Sequence, residues 1–210
     1  ISSGEINNLP FLKLIGKTKK KILLSTGASN TKDVANALNI LTKKKVTLLH
    51  CNSAYPSPIN HLNLNSIKFL KNKFKCEVGY SDHSKSIYTP LIAIGSGAKV
   101  IEKHFTLNKK LNGPDHRSSL NPKELIQMIK LIRIFEKSLG KHQKVISNSE
   151  AQNLLLIRKS IVAKKHIYKG EKFSNKNLTC KRPGNGVSPM LWSKFLGKRS
   201  KKNYKINEQI

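Results

Sequence analysis

Two short segments carry the side chains best suited to chemistry. In Lys99-Val100-Ile101-Glu102-Lys103-His104-Phe105, alternation along a strand puts Val100, Glu102 and His104 on one face. The same alternation groups Glu77, Gly79, Ser81 and His83 in the segment before it. An acid and a histidine on an otherwise apolar strand are costly to bury without partners. Each histidine by itself reads as an ordinary surface or structural imidazole. As a pair on consecutive strand ends, they suit a divalent metal with open positions for substrate and water.

Other polar groups gather at similar places. Ser3, Ser25 and Ser81 sit at three predicted strand ends, where hydroxyls and backbone N–H groups hold phosphate. The same Ser-Gly and Ser-Thr-Gly strings are also ordinary turn sequences. His50-Cys51-Asn52-Ser53-Ala54-Tyr55-Pro56-Ser57-Pro58 leads from a strand into a Pro-stiffened loop. Its polar groups and ring suit a sugar, or serve a βα turn whose tyrosine packs on its neighbours. Asp115, in Gly113-Pro114-Asp115-His116-Arg117, either orients substrate or metal or caps a turn.

The elements that must position these residues alternate in type. Apolar runs at Lys21–Gly27, Val46–Cys51, Glu77–Ser81 and Lys99–Phe105 read as strands, and so does the opening Ile1–Ile6. Helical patterns fall at Thr31–Leu41, Leu62–Lys73, Ile87–Ser96 and Pro122–Leu139. Strand-helix alternation implies parallel βαβ units. Every strand ends in polar residues, as expected of a (β/α)8 barrel, whose active site lies at the C-terminal strand ends. An open doubly wound sheet concentrates such residues at one switch point instead. The reading is α/β, a partial TIM barrel with about five of eight strands over residues 1–140. Residues 141–150 are polar and read as a linker. Residues 151–210 show short strands around Ser160–Ala163, Ile167–Phe173 and Leu178–Lys181, a small and mostly β domain.

Composition sets bounds. Lys and Arg number 40 against 11 Asp and Glu, a formal charge of +29, which raises nucleic-acid binding as one hypothesis. Only five of the 40 are Arg, there are 20 Asn, and the lysines run the length of the chain. That is the mark of A- and T-rich codon bias and a solvated surface, so no nucleic-acid partner is expected. Three cysteines without a CxxC pair argue against a disulfide framework or zinc cluster and for a reducing cytoplasm. No run approaches a membrane span, so no membrane partner is expected. The start at Ile1, already strand-like, reads as a fragment.

In order, the chain carries Ser-Gly-Glu, Leu-Ser-Thr-Gly, His-Cys-x-Ser-x-Tyr-Pro-x-Pro and Gly-Tyr-Ser-Asp-His. Ile-Glu-Lys-His-Phe-Thr, Gly-Pro-Asp-His and Lys-Arg-Pro-Gly-Asn-Gly follow. The succession resembles the sialic acid synthases and their relatives acting on legionaminic and pseudaminic precursors. That resemblance implies condensation of phosphoenolpyruvate with an N-acetylated amino sugar, N-acetylmannosamine or a relative, to a nine-carbon 2-keto acid and phosphate. It further implies a divalent metal, Mn or Mg, on His83 and His104. Ser3, Ser25 and Ser81 match phosphoenolpyruvate-binding positions, and Ser53, Tyr55 and Asp115 sugar-side ones. Glu5 and Glu102 match active-site carboxylates. The last segment resembles the antifreeze-like (SAF) domain, which in the family closes the partner's barrel in a domain-swapped homodimer, with Arg182 on the N-acetyl group. The family's first strands, one further carboxylate and a phosphate-binding lysine would precede Ile1. The alternatives are a legionaminic or pseudaminic acid synthase, or an inactive or merely sugar-binding fragment of such an enzyme.

Overall fold

The computed structural model describes residues 1–42 and 45–210. It divides into two compact units, Ile1–Gly140 and Lys141–Ile210.

The first unit holds four strands: β1 (Ile22–Ser25), β2 (Val46–His50), β3 (Glu77–Asp82) and β4 (Ile101–Lys103). They lie in the order β1-β2-β3-β4, every neighbouring pair parallel. Parallel neighbours need a crossover, supplied by α2 (Thr31–Ile40), α3 (Asn65–Phe74) and α4 (Thr89–Gly95). α1 (Leu9–Lys17) precedes β1, and α5 (Pro122–Leu139) follows β4. The result is a curled half-barrel of α/β type, the fold class anticipated from the alternation.

Alternation decides what each strand contributes. Leu24, Leu48 and Val78 point to the helical layer and are fully buried with Val34, Ala37 and Ile67. Their neighbours point to the concave face, in the register Ser25 to Leu49 to Gly79. Gly79 is required there. A Cβ on it would lie 2.6 Å from both the Val100 carbonyl oxygen and Leu49 Cδ2, so a side chain would push β4 away. Helix starts are fixed locally: α2 and α5 open with reciprocal capping boxes, Asn30 with Asp33 and Asn121 with Glu124.

Two expectations need correction. Ile1–Ile6 is not a strand. The Ile1 ammonium donates to the Leu23 carbonyl (2.8 Å) and its carbonyl accepts from Ser25 N–H (3.0 Å), so one residue extends the ladder beside β1. Ser3–Glu5 then coils into a 3-10 turn that feeds α1. With two apolar residues at its ends and Ser-Ser-Gly-Glu between, the segment has little to bury as a strand. Among the described residues of this unit the count is therefore four strands and one bridging residue. In the second unit, Ile167–Phe173 forms only isolated bridges, Ile167 with Tyr204 and Lys172 with Arg199. The turn at Gly170, with φ of +86°, interrupts it.

That second unit has one antiparallel pair, β5 (Ser160–Ala163) with β6 (Leu178–Lys181). Ile161, Ala163, Ile167, Phe173 and Leu178 form its core. Two one-turn helices precede it, α6 (Asn148–Ala151) and α7 (Leu154–Ile157). The first turn begins inside the segment read as linker, because Ser147 and Glu150 close a capping box. α8 (Trp192–Phe195) packs on the same core.

Candidate active site

The C-terminal ends of the four strands surround a cavity of about 510 Å³. Its lining includes Ser3, Ser25, Ser53, Tyr55, Ser81, His83, Glu102 and His104. Eight of the residues singled out in the sequence thus share one space. Two alternate positions along β3 and β4 build its far wall. Ser81 faces Glu102 and donates to its Oε1 at 2.7 Å. Asp82 faces Lys103 on the opposite side of the sheet. One step further, the rings of His83 and His104 meet on the cavity side, centroids 5.3 Å apart and planes at 87°.

Hydrogen bonds orient these rings. His83 Nδ1 lies 2.5 Å from the Asn52 carbonyl oxygen. A carbonyl only accepts, so Nδ1 carries the proton, and in the neutral ring Nε2 keeps its lone pair. Nε2 is 3.3 Å from the Ser81 hydroxyl, whose single proton is closer to Glu102. His104 Nδ1 stands 3.7 Å from Asp115 Oδ2, too long for a hydrogen bond but close enough to attract a positive charge. Asp115 caps its turn through its backbone carbonyl, which collects Ser118 and Ser119 donors. Its carboxylate is left to face the imidazole. Tyr55 covers both rings, 4.2 Å from His83 and 5.5 Å from His104. Burial first, then the neighbouring Cys51, Asp115 and Glu102, push its phenol upward in pKa, so it stays a donor.

On the near wall, Ser3 Oγ accepts from Gly27 N–H at 2.9 Å and touches Cys51 Sγ at 3.3 Å. A Cβ on Gly27 would collide with Ser53 and lie 2.9 Å from Ser3 Oγ, so glycine lets three chain segments converge. Sequence reasoning missed this contact, although the glycine after Leu24-Ser25-Thr26 marked the place. A wider groove of about 890 Å³ adjoins it and shares Cys51 and Ser53. Its one carboxylate, Asp33, is committed to the α2 capping box, so the reactive groups concentrate in the smaller cavity. Among the described lining residues of that cavity there is no Lys or Arg side chain, despite 40 in the chain.

Three candidates lie outside the lining, Asp115 beside His104 and two others. Glu5 is not in the lining; its carboxylate accepts from Asn8 Nδ2 at 2.6 Å, at the start of α1. Arg182 belongs to the second unit, exposed, with Nε donating to the Ile157 carbonyl at 3.1 Å. Gly184 beside it packs against Arg158 and donates to Leu155 O at 2.6 Å, which holds the Arg182 loop on α7.

The donor set fits a divalent cation in an open site. His83 has its second nitrogen anchored by a carbonyl and His104 has a carboxylate nearby, the outer partners that metal-binding imidazoles generally have. No closed cluster of three or more His, Cys, Asp or Glu occurs among the described residues; the groups here that could hold the ion are the two imidazoles.

The family model for the NeuB family matches residues 1–144, and that for the SAF domain matches residues 158–210. The chain belongs to the NeuB family. This NeuB chain is 52% identical to the N,N'-diacetyllegionaminic acid synthase of Campylobacter jejuni, covering 100% of its own length and 64% of that protein. It is 36% identical to the pseudaminic acid synthase of the same species, over 100% of itself and 62% of the relative. Its fold matches the crystal structure of N-acetylneuraminic acid (sialic acid) synthetase from Leptospira borgpetersenii, solved with citrate. There the TM-score is 0.69 and identity 36%, over 73% of this chain and 54% of the other. The NeuB chain thus spans less than two thirds of these relatives.

Proposed function

We propose that the full-length protein is a sialic acid synthase. It would condense phosphoenolpyruvate with an open-chain N-acetylated amino sugar and water, giving a nine-carbon 2-keto acid and phosphate. The observation that carries this is the His83–His104 pair at 5.3 Å, beside a serine-lined cavity, in a NeuB-family chain. His83 and His104 would hold a divalent ion, Mn or Mg. When bound, that ion supplies Lewis-acid polarisation of the sugar aldehyde.

The chain's own groups do the rest. Ser3, Ser25 and Ser81 orient phosphoenolpyruvate, so that its C3 forms a bond to the aldehyde carbon and the aldehyde oxygen takes up a proton. Ser53, Tyr55 and Asp115 hold the sugar. Water adds at C2 and loses a proton to a carboxylate, the role this reading gives to Glu102, which accepts from the Ser81 hydroxyl. Collapse of the C2 centre to a ketone then breaks the C–O bond and releases phosphate. Glu5, turned toward α1 here, is the second carboxylate of this reading. Among the described lining residues there is no lysine or arginine, so in this reading the phosphate draws its cation from outside them. Arg182 is assigned to the acetamido group, through a domain-swapped homodimer.

The 52% identity to a protein named N,N'-diacetyllegionaminic acid synthase favours, as a second reading, an acceptor bearing two acetamido groups. Among the described residues no helix is long and apolar enough to cross a membrane; a cytoplasmic location is part of this reading. Phosphoenolpyruvate labelled with ¹⁸O at the C2–O–P bridge tests the reaction in the full-length protein. The label should leave with phosphate. Label retained in the sugar acid would overturn the C–O cleavage step.

A further inference from the structure

Between the inward Ser81–Glu102 pair and the two facing rings lies an outward pair that the proposed chemistry does not use. Asp82 and Lys103 are cross-strand partners on β3 and β4. Asp82 is fully buried, the Lys103 side chain is 4% exposed, and Nζ lies 2.7 Å from Oδ2. Lys103 spends its other two donors on the carbonyls of Ser84 and Ser86. Asp82 accepts from Tyr80 Oη (3.1 Å), Ser84 N–H (2.8 Å) and Thr89 Oγ1 (2.6 Å). Every donor of the ammonium and both oxygens of the carboxylate are satisfied.

A buried ion pair is weak evidence for stability, because desolvation offsets most of the attraction and apolar residues of like volume often serve as well. What this one fixes is position. His83 sits between Asp82 and Ser84, both held by the network, and His104 directly follows Lys103. The lysine ties β4 to the loop after β3, and Thr89 ties the first turn of α4 to the same carboxylate. We infer that Asp82 and Lys103 are positioning residues that set the mutual placement of the two imidazoles from the reverse face of the sheet. Asx-type turns alone would fix the loop but not its distance from β4. The consequence for metal affinity rests on the proposed function; the ring geometry does not.

NMR on the full chain with labelled histidine rings tests this. A nuclear Overhauser contact between the His83 and His104 rings is expected in the native protein. It should weaken or vanish in Asp82→Asn and Lys103→Met while the circular dichroism spectrum is kept. Mn²⁺ titrated alone should bind those variants about 10-fold or more weakly, the usual effect of losing a group that orients metal ligands. If both variants fail to fold, Thr89→Val removes one hydrogen bond and keeps the pair; a weakened ring contact is expected there too. An undiminished ring contact in any folded variant of Asp82 or Lys103, or in Thr89→Val when those two unfold, overturns the inference. A lost ring contact with unchanged Mn²⁺ affinity supports positioning and refutes the metal assignment instead.

Discussion

His83 and His104 meet edge to face across the ends of β3 and β4, at 5.3 Å between centroids. They occupy equivalent places two residues beyond Ser81 and Glu102, which are themselves in register. Parallel pairing converts two sequence motifs 21 residues apart into one wall.

Removing either ring should remove the metal site. In the full-length enzyme, His83→Ala and His104→Ala are expected to lower metal-dependent turnover by more than about 100-fold, on the scale of losing metal-ion catalysis. Circular dichroism should be unchanged, since both rings are partly exposed. Normal turnover in either variant would refute the ligand assignment.

Arg182→Ala should raise KM for the sugar far more than KM for phosphoenolpyruvate. A guanidinium fork is suited to an amide carbonyl on one substrate only. Steady-state kinetics with each substrate varied in turn makes the comparison, and equal rises would count against the assignment.

Gly79→Ala should destabilise the half-barrel by about 1–3 kcal/mol, the cost of overpacking a core. The new methyl would meet the Val100 backbone at 2.6 Å, and backbone yields less readily than a side-chain tip. Urea denaturation measures it; a neutral result would mean that β3 and β4 separate freely, which the His83–His104 contact could not survive.

Glu124 offers a pH test away from the site. Burial raises its carboxyl, but hydrogen bonds from Lys109 and Asn121 N–H and the Lys109 and Lys103 charges outweigh this and leave it below its ordinary value of 4.5. A depressed carboxylate stabilises the fold above the unfolded value, and that stability is lost as pH falls through the folded one. Glu124→Gln should therefore cost about 1 kcal/mol at pH 7, the scale of a helix cap. Its deficit against the native chain should shrink steadily below pH 4.5. A deficit independent of pH would assign the effect to packing.

Much of this arrangement was legible from the chain alone, for physical reasons. Strand alternation placed Ser81, His83, Glu102 and His104 on one face, and period-2 geometry left no other choice once the strands were parallel. The 18-residue α5 was readable from its periodicity and its Asn121-Pro122 start. What stayed hidden depends on partners. The Asp82–Lys103 pair looks like two more surface charges in a chain of 40 lysines and arginines until register shows them facing each other. The short helix α1 was overlooked, because Leu9–Lys17 has one fully buried residue, Leu12. Ile1–Ile6 has strand-like ends, but Ile1 alone bonds to β1, while Ser2, Ser3, Glu5 and Ile6 bond within their own turn.

The most direct measurement is phosphate release from phosphoenolpyruvate by the full-length protein, with N-acetylmannosamine and a 2,4-diacetamido sugar each supplied in turn. Release is expected only with an acceptor present, matched by formation of a nine-carbon keto acid, abolished by chelator and restored by Mn²⁺. Phosphoenolpyruvate left intact with every acceptor, or turnover indifferent to the chelator, would contradict the account built on His83 and His104.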